Sequence, residues 1–261
     1  VTLRDSGRPR ARAVLVLAVF ALVTWLRELV LRVPAYRALY DANPFYVPEG
    51  FRSAVEILLV VLAVILLRRV GIPEALRELG FLRRPWPGLI FAMVACLPLW
   101  AVFSLTMPLA RDLDPWAVLY LAGLSPLAEE AVFRGFAFGQ LRKAGWGFWP
   151  AALVPAVVFG LVHLTGGQSP GQAAGVFAIT AVGGLLFSFV FERWDGSLWA
   201  PWGLHALMNL AWNLWEVGES ALAGWLPTAM QVTTVAVAVA LTLWRKRLPV
   251  LGSWPEDGEG G

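Results

Sequence analysis

Residues 144–191 read AGWGFWPAALVPAVVFGLVHLTGGQSPGQAAGVFAITAVGGLLFSFVF, 48 residues without one Asp, Glu, Lys or Arg. A helix crosses the hydrocarbon core of a bilayer in about 20 apolar residues, so this stretch is long enough for two crossings. The segment Thr165-Gly-Gly-Gln-Ser-Pro-Gly-Gln172 carries the turn signal that divides it. Its halves are continuously apolar, whereas a membrane barrel needs alternating strands of about ten residues. The stretch predicts two transmembrane helices and sets the fold class: an all-α, polytopic membrane helix bundle.

The same reading extends outward in both directions. A first span at Ala13 to Leu26 follows Arg4, Arg8, Arg10 and Arg12. It has no small-x-small cleavage signal, so it reads as an uncleaved helix that runs on past Arg27 with that side chain snorkelling. Further spans fall at about Ser53 to Leu67, within Pro85 to Ala110, and at Pro115 to Leu141. Two more follow the divided stretch, at about Leu198 to Trp215 and Ala221 to Trp244. The expectation is eight helices in one transmembrane domain, residues 13–248, with the chemistry within 125–209. Residues 1–12 and 249–261 are expected to be mobile cytoplasmic tails.

Composition agrees. Of 261 residues 58% are hydrophobic and 15% charged, with mean hydropathy +0.66. Soluble domains carry about 45–50% and about 25% respectively, so a soluble domain is excluded. A net charge of +3 could suggest nucleic acid, but the basic residues sit at the ends of apolar runs and not in a patch. They read as topology signals, and no nucleic-acid partner is expected. With the N-terminus inside, the inner segments hold 15 basic residues, among them Arg68, Arg69, Arg83, Arg84, Arg142 and Lys143. The outer segments hold five: Arg27, Arg32, Arg37, Arg52 and Arg111. The positive-inside rule then places both termini in the cytoplasm of a multi-pass cell-membrane protein.

Cys96, the single cysteine, excludes an intramolecular disulfide and reads as a buried small residue. Trp146, Trp149, Trp194, Trp199 and Trp202 lie near span ends and read as interface anchors. Gly166, Gly167, Gly183 and Gly184 would let helices approach closely. The chain shows no sustained repeat, phosphate loop or nucleotide-binding signature.

Against this background a few polar residues stand out. The fourth span contains Pro126-Leu-Ala-Glu-Glu-Ala-Val-Phe-Arg-Gly135, and an ionisable group at mid-membrane costs about 2.5–3.5 kcal/mol on insertion scales. Glu130 and Arg134 are four apart on one helical face and can neutralise each other. Glu129 is rotated about 100° away, so one arginine does not balance both carboxylates. An interhelical ion-pair lock explains Glu130 and Arg134 but leaves Glu129 over. An incompletely paired carboxylate in low-dielectric surroundings suits a general base, which makes Glu129 the first catalytic candidate.

The only two histidines, His163 and His205, also lie in apolar spans. His205 and Asn209 are four apart and aim two polar groups at one volume. Phe159 stands one turn from His163 as a packing residue able to wall the cavity. At about 1.5 Å per residue from the cytoplasmic ends, Glu129, His163, His205 and Asn209 lie roughly 20, 22, 12 and 18 Å deep. Three helices thus bring polar groups to overlapping levels.

In order along the chain, Glu129-Glu130-x-x-x-Arg134, Phe159-x-x-x-His163 and His205-x-x-x-Asn209 resemble the CPBP intramembrane proteases. This is the CAAX-protease and bacteriocin-processing family, related to the eukaryotic prenyl-protein endopeptidase Rce1. The resemblance covers about Ser125 to Asn209. It implies an endopeptidase acting on a membrane-associated, possibly lipidated peptide or protein. It further implies that Glu129 activates a water, that His163 helps hold it, and that His205 and Asn209 stabilise the oxyanion. Glu130 would then position Arg134.

Glu129, His163 and His205 could also form a two-His-one-carboxylate Zn2+ site. The helical His-Glu-x-x-His arrangement is missing, so a metal-independent glutamate mechanism is favoured. Two other readings fit a buried Glu, His and Asn: a non-enzymatic membrane partner such as an immunity protein, and a transporter with a proton relay.

Overall fold

The structure is a computed structural model that describes residues 7–164, 169–218 and 224–247. Expectations for the tails beyond these limits, for Gly166 and Gly167, and for residues 219–223 fall outside the described residues. Eleven helices cover most of the rest, and the one β contact among the described residues is an isolated bridge between Leu109 and Trp215. In order they are α1 (Gly7–Thr24), α2 (Leu26–Val30), α3 (Pro34–Ala42), α4 (Tyr46–Arg68), α5 (Ile72–Glu78) and α6 (Pro85–Thr106). Then come α7 (Pro115–Lys143), α8 (Phe148–Val162), α9 (Pro170–Arg193), α10 (Trp199–Leu214) and α11 (Trp225–Trp244). The chain is an all-α, multi-pass membrane protein.

Local chemistry sets the helix starts. Proline occupies the first turn of α3, α5, α6 and α9, where its missing N–H costs no hydrogen bond. Asp114 caps α7 by accepting from the Trp116 and Ala117 amides, and Ser169 caps α9 through the Gln172 amide. In lipid the backbone must bond to itself, which is why the apolar runs are helical throughout.

Five helices are long and apolar enough to cross a membrane by length and composition: α4, α6, α7, α9 and α11. The other three expected spans correspond to α1, α8 and α10. Helix α1 starts at Gly7, so residues 7–12, expected in a tail, belong to it, and it carries Arg8, Arg10 and Arg12. It does not run on past Arg27. A turn at Trp25 breaks it, and Arg27 bonds Glu49 at 2.8 Å instead of snorkelling. Helix α8 has only 15 residues and α10 only 16, short of the roughly 30 Å hydrocarbon thickness.

Two large apolar cores organise the bundle, with a smaller third around Leu99, Phe103 and Trp215. One joins α1, α4, α5, α7 and α8 around Phe20, Val64, Leu79, Phe133 and Phe136. The other joins α6, α9, α10 and α11 around Phe91, Cys96, Val190, Trp194 and Leu204. Cys96 is buried, as expected. Trp194 is not an interface anchor: it is a core residue whose indole N–H donates to Thr242. A close helix approach is at Gly88, where a Cβ would lie 2.6 Å from the Ala200 amide nitrogen. Gly184 packs α9 on Ala156 of α8, whereas Gly183 meets nothing within 4 Å.

Candidate active site

Glu129, Glu130, Arg134 and His205 meet at the seam between the two cores, and α7 supplies the centre. Its helix departs from α geometry on both sides of the two glutamates, with π-helical turns over Tyr120–Leu124 and Ala131–Phe138. Such bulges mark functional sites in many helices. The first has a specific cause: the Ser125 amide bonds back to the Tyr120 carbonyl, five residues away. The next residue, Pro126, has no N–H to offer. The Leu121 carbonyl is therefore left without a donor from its own helix, and Asn209 of α10 supplies one through Nδ2 at 3.1 Å.

Glu130 and Arg134 form the expected pair at 3.0 Å, with side chains 0% and 1% exposed. The guanidinium is also packed against aromatic faces, 4.7 Å from the Phe159 ring centre and 5.0 Å from that of Phe187. Burial makes this ion pair costly unless its geometry is good, and the π faces add attraction for the cation.

His205 brings α10 to the same oxygen. Its Nδ1 lies 2.9 Å from Glu130 Oε1; paired with Arg134, that carboxylate accepts, so Nδ1 carries the hydrogen. The opposite nitrogen, Nε2, faces Glu129 Oε2 at 3.9 Å. Phe187 stacks on the imidazole with ring centres 5.2 Å apart, and Phe159 meets it edge-on at 6.2 Å. His205 thus stands between the two glutamates.

Glu129 differs from its neighbour as the helical rotation predicts. Its side chain is 27% exposed. Oε1 accepts the Ser125 hydroxyl at 3.1 Å, while Oε2 is buried and has no hydrogen-bond partner.

His163 is not within the fifth span but in the turn that closes α8. Its Nδ1 is 2.7 Å from the Phe159 carbonyl. A carbonyl only accepts, so Nδ1 carries the hydrogen and Nε2 is left as an acceptor. The Phe159 and His163 rings touch with centres 4.4 Å apart. Phe159 therefore contacts both histidines and the arginine, more than the single wall expected of it.

Among the described residues no group of three or more His, Cys, Asp and Glu side chains is arranged to hold a metal ion. Nδ1 of each histidine is engaged, by Glu130 and by the Phe159 carbonyl, which leaves each Nε2 available.

Several neighbours escape a reading of the sequence by motif. Ser125 has a signal, four residues before Glu129 on the same helical face. Phe187 has none, because an aromatic residue in an apolar helix carries no mark. Glu56 lies inside the expected second span and is a charge that the hydrophobic run hides. It pairs with Arg52, which also bonds Glu49 at 2.6 Å. These three form a buried polar stripe along α4.

Fold and site together define a multi-pass helical membrane protein with a buried Glu–Arg–His centre built from four helices. The family model described as Type II CAAX prenyl endopeptidase Rce1-like matches residues 111–211, and over that segment the chain is similar to the Rce1-like, CPBP-type family. The segment contains all seven side chains of the ordered motifs. No curated protein and no solved structure matches the chain.

Proposed function

We propose that the protein is an intramembrane endopeptidase in which Glu129 activates the attacking water. The family is one of proteases that act at membranes, and this supports the reaction class. The observation that carries the residue assignment is the asymmetry of the two glutamates. Each keeps Oε2 without a partner among the described residues, but Glu130 is wholly buried with Arg134 and His205 both on its Oε1, whereas Glu129 is partly exposed and turns its free oxygen toward His205 Nε2.

The water gives one hydrogen to Glu129 Oε2 and the other to His163 Nε2, both of which are acceptors. Its oxygen attacks the scissile carbonyl carbon, and the proton moves to Glu129. The tetrahedral oxyanion takes hydrogen bonds from His205 Nε2–H and from the second Nδ2 hydrogen of Asn209, the first being held by Leu121. The C–N bond then breaks and Glu129 returns the proton to the leaving amine. Glu130 and Arg134 hold His205 and the helix interface. No metal enters this scheme. The substrate is a membrane-associated peptide or protein, and both termini lie in the cytoplasm.

The test is cleavage of a peptide set that includes prenylated C-terminal cysteine sequences, using purified protein in detergent. Wild type should cleave with or without chelator, and Glu129→Ala and His163→Ala should not, at unchanged folded yield. Loss of wild-type activity on chelation would overturn the metal-free scheme. Folded wild type that cleaves nothing, with biological function retained in Glu129→Ala, would instead favour a non-enzymatic membrane partner.

A further inference from the structure

Several serine and threonine hydroxyls inside these helices share one pattern, although Ser104 bonds the carbonyl three residues back and Thr234 has no partner among the described residues. Thr106, Thr180, Ser188 and Thr233 each donate to the carbonyl four residues earlier, at 2.7–2.9 Å. Ser125 breaks it. The carbonyl four residues before it is Leu121, the one released by the π turn and Pro126 and taken by Asn209. The Ser125 hydroxyl donates instead to Glu129 Oε1.

A hydroxyl has one hydrogen, and here a carboxylate oxygen receives it. That bond fixes the rotation of the Glu129 carboxyl group. With Oε1 held, Oε2 is the oxygen presented on the side of His205, buried and without a partner.

We propose that Ser125 is a positioning residue that holds Glu129 so that Oε2 alone serves as the base. The proposal rests on the reading of Glu129 as that base. The π turn then has two consequences for the site. By freeing the Leu121 carbonyl it docks Asn209, and it leaves the Ser125 hydroxyl to the carboxylate.

The experiment compares Ser125→Ala, Ser125→Thr and Glu129→Gln in the full-length protein, with the best-cleaved peptide of the prenylated set as probe. Ser125→Ala should lower kcat about tenfold or more, a misplacement effect, while KM stays within about twofold of wild type. Ser125→Thr keeps the hydroxyl and should recover most of the loss. Alanine favours the helix, and melting temperatures check that each variant is folded. Wild-type kcat in Ser125→Ala would overturn the proposal, as would an equal loss in Ser125→Thr or a change in KM alone. Cleavage that survives in Glu129→Gln would overturn the reading beneath it, a result distinguishable from any defect confined to Ser125.

Discussion

Glu129 and Glu130 are adjacent and chemically identical, yet one step of helical rotation sends them to different surroundings. Glu130 points into the seam, meets Arg134 and His205, and has no exposure. Removing its cation leaves a buried carboxylate with only a histidine, so Arg134→Ala should cost about 3–5 kcal/mol of stability and show as a lower melting temperature and folded yield. Arg134→Lys should be destabilised as well, because an ammonium does not reproduce a planar guanidinium between the Phe159 and Phe187 rings. A thermal melt of either variant that matches wild type would contradict the packing described. The Glu130–Arg134 pair is legible from spacing alone. The bond from His205 to Glu130 is not, because 75 residues separate them and only the docking of α10 on α7 brings them together.

At the scale of elements, the sequence displays helix starts well and helix interiors poorly. The proline and cap signals before α6, α7 and α9 are local chemistry. The first π turn of α7 depends on a hydrogen bond that a neighbouring helix supplies. Pro126 is visible in the sequence, but the Asn209 that compensates for it lies on another helix. Close helix approaches are likewise set between elements. Gly88 of α6 faces the backbone of α10 at Trp199 and Ala200, which cannot yield as a flexible side chain would. Gly88→Ala should therefore push α6 from α10 and destabilise by about 1–3 kcal/mol. Gly183→Ala, at a position with nothing within 4 Å, should melt like wild type. The two melts side by side test whether the helix approach is as close as described.

Across the whole molecule, the site sits where two apolar cores meet, so its geometry depends on how the halves are held together. Within the first core one tie lies away from the membrane-spanning segments' centres, at Glu78 of α5, which bonds Arg68 of α4 and Gln140 and Lys143 at the end of α7. Burial pushes the Glu78 carboxyl up, but the hydrogen bonds from Gln140 and Lys143 and the charges of Lys143 and Arg68 hold it below its ordinary value. A carboxyl lowered by folding stabilises the fold above the unfolded glutamate range, near about 4.3. That contribution is lost as the pH falls through the lower folded value. Wild type should lose more melting temperature than Glu78→Gln between about pH 6 and pH 3.5, where this carboxyl takes up its proton; parallel losses would count against the tie.

The central claim, that Glu129 directs a water onto a peptide bond, is tested most directly by single-turnover peptide cleavage in 18O-labelled water with wild type beside Glu129→Gln. Label is expected in the new carboxyl group of the released peptide at the first turnover, with no cleavage by the folded Glu129→Gln variant. Label delivered to Glu129 with an unlabelled peptide carboxyl, or cleavage that survives in Glu129→Gln, would contradict it.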